Sequence, residues 1–475
     1  MWLAAGLAVA AQVAPIPHPD ELNGKPYAIR NKWIIGGSGD WDYLTLDPTA
    51  RQLFVTHGST VQVVDIESGA VVGTIGGFNQ AHAVVLDNPG PYGYATDGAP
   101  GTIVVQKEPN GRVELMYAGG VKVFDRRTFR IVANIVTSAS LRALTLDPET
   151  GLLFALGTDL STLPPPERPP RNGPTRHGPR SLPPPRAMEP AAPQATPCGT
   201  TSVNSSERIP ESLIAVIDPA KRAELAEIRV CGILGSEVAD GAGGLYVTFP
   251  TLNMAARLDT SALLQLLPDR DHVTPNLIEV AGREYTNNHV PEEVTGREYI
   301  YNRVAELDWR KQTRKDAEMG DVLPELRTIS LGECKEPHGM AVDSRQNRLF
   351  VGCNNMELAI LDSVSGAKIA SFTVGPGTDS VAFDAGRGLI FTANGGGYGS
   401  VSVIRQHLMD SYSEIQNLAT MERARTMALD PTTGLVYLVT TIYGANISNP
   451  ARAGTPGRVN YGPLDGNFQV LVVGN

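Results

Sequence analysis

No stretch of this sequence reaches the roughly 18 apolar residues needed to cross a bilayer as a helix, so no membrane span is expected. Basic charge is also short. The chain has 40 Lys and Arg against 50 Asp and Glu, a formal net charge of −10. Wholesale binding to nucleic acid, which needs a basic face against the phosphates, is therefore disfavoured, although a local patch fits this balance. Motifs that announce chemistry are missing too. There is no G-x-S-x-G elbow, no H-E-x-x-H, no C-x-x-C and no G-x-x-x-x-G-K-[ST], so linear motifs give no reason to expect a cofactor or a catalyst.

Turn formers, by contrast, are plentiful. The 49 Gly and 36 Pro residues make about 18% of the chain, against about 12% in ordinary proteins. They punctuate a repeated phrase. WDYLTLDPTARQLFV from Trp41, HAVVLDNPGPYGYA from His82, RALTLDPETGLLFA from Arg142, HGMAVDSRQNRLFV from His338, DSVAFDAGRGLIFT from Asp379 and RTMALDPTTGLVYL from Arg425 share one grammar. An alternating apolar run ends in Asp, a turn follows, and a second run carries an aromatic seven residues after the Asp. EVADGAGGLYV from Glu237 is a degenerate copy with a shorter turn. Strand, tight turn and strand at a period near forty residues mark the blades of a propeller.

The anchoring residues are Asp47, Asp87, Asp147, Asp240, Asp343, Asp384 and Asp430, at intervals of 40, 60, 93, 103, 41 and 46 residues. Three intervals lie near the period, and the other three imply insertions in blades two, three and four. Most units add a third strand ending in Asp and an outer strand, as in VQVVDIESGAVVGTI and LAILDSVSGAKIASF. The expected fold is therefore an all-β, seven-bladed β-propeller with four-stranded blades, a single domain over 27–475. The last blade ends in NFQVLVVGN and lacks an outer strand, which YAIRNKWIIGG near 27–37 is expected to donate.

At this point the chain resembles a known family. The strings LFVTHGSTVQVVD, LYVTFPTLN and LFVGCNNMELAILD are similar to those of the YVTN-repeat (YncE-like) β-propellers. The resemblance covers roughly 29–475 apart from the insertions. It implies a propeller scaffold in a bacterial periplasmic or secreted protein, and it implies no shared catalytic motif.

The insertions differ in character. TIVVQKEPNGRVELMYAGG reads as an extra hairpin around Asn110-Gly111, on the top face of blade two. Residues 160–208 hold thirteen prolines between Pro164 and Pro197 and five arginines between Arg168 and Arg186. They read as a solvated, disordered or polyproline segment. Residues 262–324 read as a bottom-face, mostly exposed arm, with a short helix in VAELDWRKQTRKDAEM after Arg303 and Trp309 as an anchor. Residues 1–11 read as a signal peptide, an apolar run with an A-x-A site at Ala8-Val9-Ala10 but no basic n-region; the alternative is a buried strand. The 4 cysteines suit an oxidising compartment. Cys334 and Cys353 should meet at the top of blade five, and Cys198 and Cys231 between blades three and four, giving two disulfides; the alternative is four free thiols.

Aligning the repeats collects candidate site residues. Five positions before each anchoring Asp stand Asp42, His82, Arg142, Gly235, His338, Asp379 and Arg425, at the mouth of the central channel. Ten positions after it stand His57, Asp97, Gly157, Cys353, Asn394 and Thr440, with Phe249 in blade four. Two facing rings are expected. Asp, His and Arg converging on a concave mouth suit a small polar or anionic ligand, with Arg142 and Arg425 offering guanidinium forks. Asp42, His57, His82 and Asp97 also have the donor types of a mixed metal site. The competing explanation is architectural, with ring groups satisfying loop amides. GGGYG near Gly395 precedes no helix and does not read as a phosphate cradle. Three functions stay open: a monomeric binding scaffold for a small polar ligand or a protein partner, a metal-assisted hydrolase or lactonase on the same ring, and a purely structural envelope protein.

Overall fold

The computed structural model describes residues 25–37, 40–107, 113–159, 198, 210–267, 277–280, 298–301, 305–309, 326–407, 410–445 and 461–475. Alternating apolar and polar positions make strands, and the strands form seven consecutive sheets, antiparallel except for one added strand in the third. Their first strands are Trp41–Asp47, Gln80–Leu86, Ala139–Asp147, Glu237–Ala239, Pro337–Asp343, Thr378–Asp384 and Met427–Leu429. Each first strand touches the first strand of the next sheet, and the seventh touches the first. The result is a closed ring of blades, a seven-bladed β-propeller.

The repeated aspartate works at the turn. Asp47 Oδ1 accepts the amides of Thr49 and Ala50 at 3.1 and 3.0 Å, and Asp384 Oδ1 those of Gly386 and Arg387 at 3.0 Å each. Asp240, Asp343 and Asp430 do likewise. Such a side chain substitutes for the backbone partner that the turn cannot supply. The aromatic that follows is the matching core element. Phe54, Tyr94, Phe154, Tyr246, Phe350, Phe391 and Tyr437 are all buried, and they join apolar clusters that each lie between two neighbouring blades. The core is thus divided into seven wedges around the ring. No single blade can bury its own faces.

The last sheet runs Met427–Leu429, Val436–Thr440, Gln469–Gly474 and then Ala28–Ile34, so the N-terminal segment supplies its outer strand. Trp33 stacks on Tyr437 at 5.8 Å, and Tyr27 meets Phe391 edge-on at 5.4 Å.

In blade two, strands Tyr92–Lys107 and Val113–Asp125 continue past the blade and stay paired out to Lys107 and Val113. The Asn110-Gly111 turn lies outside the described residues, as do 1–11 and, apart from Cys198, 160–208. The blade-four insertion departs from expectation. After a one-turn helix, Thr260–Leu263, it forms a strand pair, Leu277–Val280 with Glu298–Tyr301, that lies against the long strand of blade two. Of the stretch expected to hold a short helix, Ala305–Asp308 is instead a strand, and the part after Trp309 lies outside the described residues. This strand pairs in parallel with Ala223–Cys231, so blade three has five strands. Backbone pairing with an open sheet edge outweighs the helix-favouring composition there. Trp309 is the anchor, buried in the wedge between blades three and four. All nine residues of Ala223–Cys231 are buried in consequence, whereas the outer strand of blade one is largely exposed.

Cys334 is bonded to Cys353 and Cys198 to Cys231, each with Cα atoms 5.4 Å apart. No helix is long and apolar enough to cross a membrane among the described residues.

Candidate functional site

Five of the first-ring residues share a backbone device. The pairing of first and second strands slips by one residue between Trp41 and Leu44, Ala81 and Val84, Leu141 and Ala143, Pro337 and Met340, and Thr378 and Ser380. These β-bulges contain Asp42, His82, Arg142, His338 and Asp379. A bulge breaks the up-down alternation and re-aims the side chain it carries. Hydroxyls of neighbouring blades fasten three of them, as Thr426 donates to the Asp42 carbonyl at 2.6 Å, Thr56 to His82 at 3.0 Å and Thr248 to His338 at 3.1 Å. Arg425 sits in the loop before its strand.

A cavity of about 270 Å³ opens at this level, lined by Asp40, Asp42, His82, Arg142, Arg423 and Arg425, with Trp41, Gln80, Ala81 and Tyr443 completing the wall. Four first-ring residues therefore converge, from blades one, two, three and seven. His82 Nδ1 lies 2.8 Å from Asp42 Oδ2, joining two of them directly. Arg142 is exposed and has no hydrogen-bond or ion-pair partner among the described residues. Arg425 Nε lies 3.1 Å from Asp379 Oδ2 at the edge of the site. Burial raises the Asp379 carboxyl, although the positive charges of Arg425 and His338 pull it down. His338 and Asp379 do not line the cavity.

The second ring does not face the first. His57 is buried against Phe468, ring centroids 4.0 Å apart, and burial lowers its pKa although the Gln62 side chain opposes this. Asp97 accepts the amides of Asn79 and Gln80 at 2.7 and 3.1 Å and pairs with Lys122 at 3.2 Å. Asn394 is spent on Thr378, Ser400 and Ser402. All three are architectural because the second strand is sandwiched between two others. Asp42 and His82 meet, but His57 and Asp97 turn elsewhere, and no three His, Cys, Asp or Glu are grouped to hold a metal among the described residues.

Sequence alignment missed Asp40, Gln80 and Arg423, yet a signal was present. Each stands seven residues before its anchoring Asp, so the repeat register that collected the first ring also marks these three. GGGYG also finds its role here. A Cβ at Gly395 would fall 2.6 Å from the Arg425 Cβ, and one at Gly399, where φ is +79°, 1.8 Å from the Met421 carbonyl oxygen. Arg423 donates its amide to the Gly395 carbonyl at 2.9 Å. The glycines let two loops close together and so position both arginines.

Burial raises the Glu237 carboxyl well above its usual range, and its Oε2 has no hydrogen-bond partner among the described residues. Burial, followed by the charges of Asp42, Glu237 and Asp379, also pushes the Tyr43 phenol well up.

No family model and no curated protein matches this sequence. Among solved structures, the chain is similar to a chain in the crystal structure of the mitotic checkpoint complex, with a TM-score of 0.50 and 11% identity. The match covers 92% of this chain and 95% of that one. At that identity the likeness shows the fold alone.

Proposed function

We propose that this propeller is a binding scaffold that captures a small anionic or polar ligand in the mouth of its channel. The carrying observation is the convergence of Arg142, Arg423 and Arg425 on one cavity beside the bonded Asp42–His82 pair. Three guanidinium groups concentrated at one mouth of a chain with net charge −10 make a local field suited to a carboxylate or phosphate. Arg142→Ala is the clean test. An exposed, unpaired side chain contributes within about 0.5 kcal/mol to stability, so the melting temperature should stay put. Titration calorimetry should show small carboxylates and inorganic phosphate binding at least tenfold more weakly. A large drop in melting temperature, with no compound stabilising the wild type, would make the ring architecture only.

The hydrolase or lactonase alternative would draw on Asp42 and His82, and among the described residues no group of three His, Cys, Asp or Glu is placed to hold a metal with them. A protein partner is the second reading. Tyr398 is 93% exposed at the tip of the blade-six loop, on the face that bears the cavity, with Met356 and Ile442 exposed in the matching loops of blades five and seven.

We also assign the protein to the periplasm or the exterior of a bacterium, as a monomer related to the YVTN-repeat propellers. Support comes from the apolar N-terminus, the repeat strings and the pairing of all four cysteines. Non-reducing peptide mapping of protein from the periplasmic fraction should recover both pairs of cysteine peptides linked. Free thiols there would contradict the assignment.

A further inference from the structure

The charges around the cavity are segregated by blade. Asp40 and Asp42 belong to blade one, Arg142 to blade three, and Arg423 and Arg425 to blade seven. Blades seven and one are neighbours in the closed ring. Around the mouth the order is therefore basic, acidic, neutral at Gln80, then basic again.

Among the described residues no ion pair joins either acid to any of these arginines. Asp42 bonds to His82, Arg425 turns to Asp379 outside the cavity, and the Arg423 guanidinium lies over the Tyr443 ring at 4.7 Å. Elsewhere on this molecule opposite charges within reach do close on each other, as Arg348 with Asp410 at 2.6 Å and Arg51 with Glu67 at 3.3 Å. Across the cavity the acids of blade one and the arginines do not, although Arg425 pairs with Asp379 at its edge. Bulges fix the backbone at Asp42 and Arg142, the Thr426 hydroxyl fixes the Asp42 carbonyl, and the glycine contact fixes the loop carrying Arg423 and Arg425. Asp40, Arg142 and Arg423, which no opposite charge meets among the described residues, thus present both signs to one space, an arrangement complementary to a solute that carries both signs.

We propose that the cavity selects a small zwitterion with an ammonium group set between two acidic groups, the chemistry of an α-amino dicarboxylic acid. The ammonium faces Asp40 and Asp42, and the acidic groups face Arg142 on one side and Arg423 and Arg425 on the other. Size agrees, since about 270 Å³ is the share of about nine liquid waters at roughly 30 Å³ each, close to a solute of about ten non-hydrogen atoms. The inference rests on the reading of this cavity as a ligand site and deepens it.

Calorimetric titration of the full chain at low salt tests it with three probes. These are L-glutamate, glutarate (which lacks the ammonium group) and 4-aminobutyrate (which lacks one carboxylate). Glutamate should bind at least tenfold more tightly than either. Asp42→Asn should erase the advantage over glutarate while glutarate itself still binds. Arg142→Ala should erase the advantage over 4-aminobutyrate. If Asp42→Asn melts early, Asp40→Asn, at an exposed carboxylate, replaces it. An advantage of less than tenfold over either probe overturns the zwitterion inference and leaves the anion site standing. Failure of all three probes and of inorganic phosphate to bind overturns both.

Discussion

At the scale of single residues, similar side chains have opposite fates set by their surroundings. The turn aspartates Asp65, Asp125 and Asp362 accept hydroxyl and amide donors in their turns, which hold their carboxyls below the usual range. Glu237 has the reverse situation, with burial and an unpartnered oxygen. Its native pKa lies above its unfolded value of about 4.3, so the folded state keeps a proton that the unfolded chain has released. Stability from this group is full below about pH 4 and falls as pH rises through the native pKa. Glu237→Gln removes that cost. Its melting temperature should exceed that of the wild type by a few degrees at pH 7.5, with the gap shrinking toward pH 4. A gap independent of pH would show that the carboxyl does not titrate abnormally.

At the scale of elements, the same strand-turn-strand unit is modified where it meets a neighbour. Five first strands carry a bulge at the channel mouth, and there the polar side chains gather. Blade three is extended by Ala305–Asp308, which covers the backbone edge that a propeller otherwise exposes on its rim. Trp309 locks this extra strand, its amide donating to the Arg229 carbonyl at 2.9 Å. Trp309→Ala should cost about 3–5 kcal/mol, as expected for truncating a buried Trp. Hydrogen exchange should also accelerate in Ala223–Cys231 while the outer strand of blade six is unchanged. Uniform acceleration in all blades would mean that Trp309 supports the ring generally rather than this edge.

At the scale of the whole molecule, closure is the central device. Adjacent blades share every apolar wedge, so the ring is stable only when its ends are joined. Ala28–Ile34 pairs with Gln469–Gly474, bringing together segments from opposite ends of the chain. Arg51 reaches Asp430 at 3.5 Å across the same seam. Removing residues 1–37 should expose the edge of Gln469–Gly474 and leave the Tyr437 and Phe391 wedges uncovered. Aggregation or a broad, non-cooperative melt is the expected result, read by size-exclusion chromatography and calorimetry. A soluble fragment with one sharp transition would show that six blades and a three-stranded seventh suffice.

The sequence by itself determined the blade count, the strand order within each blade and the anchoring aspartates, because these depend on local alternation and turn chemistry repeated in register. It also placed Asp42, His82, Arg142 and Arg425 at one level, since equal positions in equal blades lie on one ring. Only the tertiary structure decided which of them meet. Asp379 and His338 share that register, yet neither lines the cavity, and Asp379 pairs with Arg425 at its edge. His57, Asp97 and Asn394 hold equivalent strand positions, but His57 is packed against Phe468 and the other two are taken up by hydrogen bonds to neighbours. The fifth strand of blade three was illegible for the same reason. Ala305–Asp308 pairs with a strand about eighty residues earlier in the chain, and an open edge in space leaves no periodic mark on the segment that fills it.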